Sequence, residues 1–185
     1  MRSIDILRAE HDDILKMLDV LERISEKITS CESVPTDHLK QVLNFLEIFA
    51  EKHHNAKEDD CLFERIKEAE VPESVTLLAV LISEHSRGRR FIEEMKHLLD
   101  AHERGDSNAV MVFTTPALQY IDLYRSHIWK ENMILFTMAE EKIPSGKLRL
   151  IDQELEVLGN AQIPADTLNT FHETAEKLSK IYLGS

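Results

Sequence analysis

Four long stretches of this chain place apolar side chains three and four residues apart. That period puts them on one face of a helix and makes each stretch a core-facing amphipathic helix. The first runs from about Ile4 to about Thr29, with Ser3 available as N-cap and the stripe Leu7, His11, Ile14, Leu18, Leu21, Ser25, Ile28. The second starts near Thr36 or Asp37, ends near Ala69, and reads Leu39, Leu43, Leu46, Ala50, His54, Glu58, Cys61. The third carries Leu78, Leu81, His85, Gly88, Ile92, Met95, Leu99, and the fourth Val110, Phe113, Ala117, Tyr120, Tyr124, His127, Glu131, Ile134, Met138. Pro116 lies inside the fourth run: either the helix kinks there, or a new helix starts with Thr115 as cap and Pro116 as first residue.

Short breaks, "CESVPTD", "EVPES" and "HERGDSN", separate the four runs. Short connections make consecutive helices antiparallel neighbours, so the expected fold is all-α: an up-down-up-down antiparallel four-helix bundle. The bundle is assigned to residues 1–142. Residues 143–185 form a C-terminal helical extension, with segments near Lys147–Leu158 and Thr167–Tyr182 that cap the bundle or make a homodimer surface. With 5 Gly and 5 Pro among 185 residues, and 30% of them charged, composition favours long helices over a sheet. The formal net charge of −12 repels nucleic acid and anionic lipid, so neither is an expected partner. No segment approaches the roughly 18 apolar residues that span a bilayer. The N-terminal "MRSIDILRAEHDD" has no signal-peptide pattern, and Cys31 and Cys61 form no paired motif. A reduced, cytoplasmic protein is the expectation.

Every apolar stripe is broken by a histidine: His11, His54, His85 and His127 stand where Leu, Ile, Met or Phe stand elsewhere. Glu58 and Glu131 share the seam. A lone histidine on an apolar face is usually a core residue with its hydrogen bonds made. A buried ionised carboxylate is harder to place: it costs several kcal/mol unless it is paired or coordinates a cation. No arginine lies on the seam, and only Lys57 and Lys130 are at hand. A metal answers all six residues at once. His54 and Glu58 are four apart, as are His127 and Glu131, so each pair shares a helix face. Four imidazoles and two bridging carboxylates can hold two metals, two histidines to each. His53 competes with His54, but it sits about 100° round the wheel. His54 is the choice, with His53 an alternative or supporting residue.

The polar residues also repeat. "HNAKEDDCLF" from His54 and "HIWKENMILF" from His127 both read His-x-x-Lys-Glu-x-x-x-Leu-Phe. "EH" at Glu10–His11 returns at Glu84–His85 with nearly the same offset. Helix one then resembles helix three, helix two resembles helix four, and an approximate two-fold axis passes through the metal pair. Within the motif, Lys57, Leu62 and Phe63 are assigned to shared helix packing.

"AEH", "HHNAKEDDCLF", "EHSRGR" and "SHIWKENMILF", taken in order over about residues 4–140, resemble the hemerythrin-like, cation-binding HHE family. The resemblance implies an antiparallel four-helix bundle with a non-haem di-iron centre. His11 and His54 would ligate one iron, and His85 and His127 the other. Glu58 and Glu131 would bridge, together with an oxo or hydroxo group. Oxygen-carrying hemerythrins use a fifth histidine one turn away on the third helix; here the flanking positions are Leu81 and Arg89. The open positions this leaves point to binding, sensing or reaction with O2, NO or peroxide. Iron buffering, or an enzyme consuming peroxide or NO, is the alternative. Histidine and carboxylate ligands also suit zinc or manganese.

Around the site, Tyr124 is read as a packed aromatic in preference to a ligand, and Glu10 and Glu84 as solvated charges in preference to cross-helix partners. Gly88 costs about 1 kcal/mol in a helix interior, which implies either close packing, the preferred reading, or room for a small ligand. Arg89 is expected to pair with an acidic residue, and Cys61 to be a buried small hydrophobe. His38, His97, His102 and His172 are read as structural or exposed.

Overall fold

A computed structural model describes residues 2–184, with the side chains of residues 4–159 and 163–184. Six helices and no strand occur among the described residues. Helix α1 is Arg2–Thr29, α2 spans 36–68, α3 is Ser74–Glu103, α4 spans 109–142, α5 is Ser145–Gln162 and α6 is Ala165–Tyr182. Because α1 already includes Ser3, that residue is not an N-cap, and its side chain lies outside those described.

The breaks have identifiable chemistry. After α1, Cys31 adopts a left-handed φ of 59°, and the amides of Cys31 and Glu32 turn back onto the carbonyls of Ile28 and Lys27. After α3, Gly105 at φ 102° does the same with the carbonyl of His102, and Asp106 with that of Ala101. Both are the paired bonds that satisfy a helix C-terminus. Pro144 and Pro164 stand immediately before α5 and α6, where no helical amide is needed. Pro116 neither ends nor restarts α4: Ala109–Lys130 is one continuous helix, and the Thr114 hydroxyl donates to the Met111 carbonyl beside it.

Two helices are locally widened. In α2, Phe45–Asn55 and Glu58–Leu62 have the wider π spacing, and in α4 Glu131–Leu135 has it. These widened turns fall at the sequence's polar seam residues, a placement common at functional sites.

Helices α1 to α4 close a ring in which α3 packs along α4, α4 along α1, and α2 between α1 and α3. Helices α5 and α6 lie against α1 and α2. Ile151 and Leu155 of α5, and Phe171, Ala175 and Leu178 of α6, join the apolar interior. That interior is split. One apolar cluster gathers Leu18, Leu21, Leu46, Phe49, Ile92 and Phe113. The other gathers Leu7, Phe63, Leu81, Leu135 and Phe136. The seam histidines and glutamates lie between them along every helix of the bundle. Among the described residues, no helix is long and apolar enough to cross a membrane.

Candidate metal centre

The structure brings all six seam residues together. His11, His54, Glu58, His85, His127 and Glu131 are each at most 1% exposed. They form two groups, His11–His54–Glu58–Glu131 and Glu58–His85–His127–Glu131. In each group the potential ligand atoms all lie within 4.8 Å of one another. The two glutamates belong to both groups. Glu58 turns Oε1 toward His54 Nε2 at 3.5 Å and His11 Nε2 at 3.9 Å, and Oε2 toward His85 Nε2 at 3.6 Å. Glu131 turns Oε2 toward His11 Nε2 at 3.2 Å, and Oε1 toward His127 Nε2 at 3.2 Å and His85 Nε2 at 4.0 Å. Each carboxylate thus offers one oxygen to each half.

These inward atoms are poorly served without a cation. The four carboxylate oxygens of Glu58 and Glu131, and Nε2 of His11 and His54, find no hydrogen-bond partner among the described residues. His85 Nε2 and His127 Nε2 lie 2.9 Å apart, too close for two bare lone pairs. Without metal, a proton must stand between them. The charges agree: burial lowers the His127 pKa, but Glu131 and Glu84 outweigh it and raise it to about 9. Burial and the adjacent Glu131 charge push the Glu58 carboxyl well up. Burial opposes ionisation of Glu131 too, but His127 and His11 hold it low. Burial and His11 drop His54 to about 3, a neutral imidazole. The donor set fits a pair of cations, because ligands about 2.0–2.2 Å from a shared ion sit roughly 3 to 4.4 Å from one another, according to whether they are adjacent or opposite.

The outer ring nitrogens explain the rest of the repeat. His54 Nδ1 donates to Glu10 Oε2 at 2.8 Å, and Lys57 donates to Glu10 Oε1. His127 Nδ1 donates to Glu84 Oε2 at 3.0 Å, and Lys130 to Glu84 Oε1 at 2.5 Å. The "EH" glutamates are therefore not solvated charges: Glu10 is 8% exposed, Glu84 is 9% exposed, and each reaches a histidine and a lysine of the next helix. Burial resists the charge on Glu10, but His53, His54 and Lys57 outweigh it and hold the carboxyl far below its usual range. Lys57 is the counter-ion in that arrangement, not mere packing. The residue after each seam glutamate supports the histidine of the other repeat. Asp59 Oδ1 accepts from His85 Nδ1 at 2.9 Å, and Asn132 Oδ1 from His11 Nδ1 at 2.8 Å. The closing phenylalanines stack on the same rings, Phe63 on His85 and Phe136 on His11.

His53 is also buried, 3.2 Å from Glu10 Oε1, and belongs to neither ligand group. The widened turn lowers the rotation per residue, so the wheel that sent His53 about 100° from its neighbour overstates their separation. Tyr124 is a packed aromatic, stacked on Tyr120 at 4.2 Å and tilted against His127 at 5.3 Å. Its hydroxyl donates to Glu51 and accepts from Asn55 Nδ2 at 2.7 Å. Gly88 makes room for that ring: a Cβ there would lie 2.5 Å from Tyr124 Cε2. Arg89 Nη1 lies 3.5 Å from Glu51 Oε2 and 3.9 Å from Asp59 Oδ2, beside a cleft of about 230 Å³. Leu81 is fully buried and apolar, so neither position flanking His85 adds a histidine. Cys61 is buried and unpaired to Cys31; burial and Glu154 push its thiol up to about 11. His38 bonds Tyr182, His172 pairs with Asp13, His97 is exposed and His102 half-buried.

Sequence reading missed Glu51, Asn55, Asp59 and Asn132. The last two had a signal: they occupy the same place in both copies of the motif.

The model of the hemerythrin HHE cation-binding domain matches residues 2–139, the four helices that carry every residue of both groups. Neither a curated protein nor a solved structure matches the chain. With the match spanning most of its length and its buried histidine and glutamate groups arranged to hold metal, the chain belongs to the hemerythrin HHE cation-binding domain family.

Proposed function

We propose that this protein holds two non-haem iron ions and binds, senses or reacts with a small ligand, O2, NO or peroxide, at a centre of four histidines and two glutamates. The observation that carries this reading is that Glu58 and Glu131 each present one oxygen to the His11–His54 half and the other to the His85–His127 half. His11 and His54 would hold one ion, His85 and His127 the other, and the two glutamates would bridge. When bound, an iron pair supplies one-electron chemistry and, with only two histidines and shared carboxylates per ion, open positions for a small ligand.

The chain's own groups do the rest. Glu10, Glu84, Asp59 and Asn132 hold the ring Nδ1–H groups, which fixes the tautomer that leaves Nε2 facing inward. Phe63, Phe136 and Leu81 exclude water on the side of the second apolar cluster. Tyr124, fixed by Glu51 and Asn55, closes against His127 on the other side.

Elemental analysis after anaerobic loading with ferrous iron tests the reading: two metals per chain are expected, and one or none rejects it. Glu58→Ala and Glu131→Ala should each lose at least one of the two. Absorption spectra of the reduced protein mixed with O2, NO or peroxide then distinguish the uses. A stable adduct marks binding or sensing, turnover of peroxide or NO marks an enzyme, and inertness with two irons held marks iron buffering.

A further inference from the structure

The groups that bond or stack on the four histidine rings repeat between the two halves, with one exchange of charge among them. Glu10 corresponds to Glu84, Lys57 to Lys130 and Phe63 to Phe136, each with the same contact. Asp59 and Asn132 make the same hydrogen bond to a ring Nδ1, at 2.9 and 2.8 Å, but one is a carboxylate and the other a neutral amide. A carboxylate acceptor makes the far ring nitrogen more basic and adds a negative charge near the cation; an amide carbonyl does less of the first and none of the second.

We infer that the two metal positions differ in affinity, and that the His85–His127 position fills first because Asp59 supports His85 where Asn132 supports His11. The inference rests on the two-metal reading above. The other supporting carboxylates favour the same half. Glu10 shares its charge among His54, His53 and Lys57, whereas Glu84 serves only His127 and Lys130 among the described side chains. The opposing group is Arg89, 3.9 Å from the second Asp59 oxygen. Its side chain is 47% exposed, so water screens it, and the direct 2.9 Å bond to the ring prevails. On the other half, Arg8 is neutralised by Glu140 at 2.9 Å and brings no comparable charge.

Supporting groups of this kind change metal affinity by about 10–100-fold, which sets the expected gap. The probe is zinc, which is redox-silent, titrated into the metal-free full chain with isotope-labelled histidine rings followed by NMR. The rings of His85 and His127 should move with the first equivalent and those of His11 and His54 with the second. Asp59→Asn should weaken the first step by about 10–100-fold, and Asn132→Asp alone should strengthen the second by a similar factor. Exchanging both should reverse the order. Simultaneous movement of all four rings in the wild type, or an order that survives the exchange, overturns the inference while leaving two metals per chain. Uptake that stops at one zinc or none rejects the two-metal reading, and the inference with it.

Discussion

The cluster around Phe113 and the layer around Glu58 are equally shut off from water, yet they are held by opposite means. Around Phe113, Leu21, Leu46 and Ile92 gain stability simply by leaving water, about 25 cal/mol for each Å² of apolar surface buried. Around Glu58, burial works against the residues present. Two carboxylates and four imidazoles face one another with inward oxygens that no hydrogen-bond donor among the described residues meets. The apolar region is complete as folded; the polar layer is complete only with its cations. One segment of chain can hold both kinds of region because the helix period carries Leu46, Ala50, His54 and Glu58 in a single line.

Breaking the comparison on the polar side should give the largest effect on function and a small one on the fold. Glu58→Gln should hold less metal than wild type, read by elemental analysis, yet denaturant unfolding of the metal-free variant should stay within about 1 kcal/mol of metal-free wild type. Breaking it on the apolar side should do the reverse. Phe113→Ala should cost about 3–5 kcal/mol in the same unfolding measurement and keep the metal content of wild type at low temperature.

Gly88 sits where the two regions meet. Gly88→Ala should cost about 1–3 kcal/mol, since the added methyl must displace the Tyr124 ring. Most of that loss should vanish when Tyr124→Ala is combined with it, a strongly non-additive double-mutant cycle.

The smallest effect belongs to charges left in water. Arg125 of α4 bonds Glu22 of α1 at 2.6 Å and Asp19 at 2.7 Å, with its side chain 35% exposed. Arg125→Ala should cost no more than about 1 kcal/mol at neutral pH. The Arg125 hydrogen bond holds the Glu22 carboxyl below its ordinary value, so this stability is present above the unfolded carboxylate pKa of about 4.3. It is lost as pH falls through the lower folded value, and the unfolding curves of variant and wild type should converge in acid.

Much of this was legible before any fold was known. The helices followed from apolar spacing, and the six seam residues from asking where a buried glutamate could find a partner. What spacing could not give was anything that crosses between helices. Glu10 lies one residue from His11 and looks turned away from the core, but its partners, His54 and Lys57, come from α2. Asp59 reads as one more acid in "KEDD" until α3 brings His85 against it. The His53 question had a different cause: a wheel assumes a uniform turn, and α2 widens where the histidines sit. The Tyr124 hydroxyl and the Gly88 backbone were each visible, but their fit to one another was not.

Two of the four ring supports run crosswise between the repeats. Asp59 and Phe63, from the first hairpin, hold His85 of the second; Asn132 and Phe136, from the second, hold His11 of the first. Glu10 and Glu84 hold His54 and His127 within their own hairpins, but neither hairpin emerging alone from synthesis can arrange both of its histidines. Since metal affinity is coupled to folding, tight capture of metal becomes a late event that reports a finished chain. A fold that completes its metal ligands only when both hairpins have met has, in this interlock, its own checkpoint on assembly.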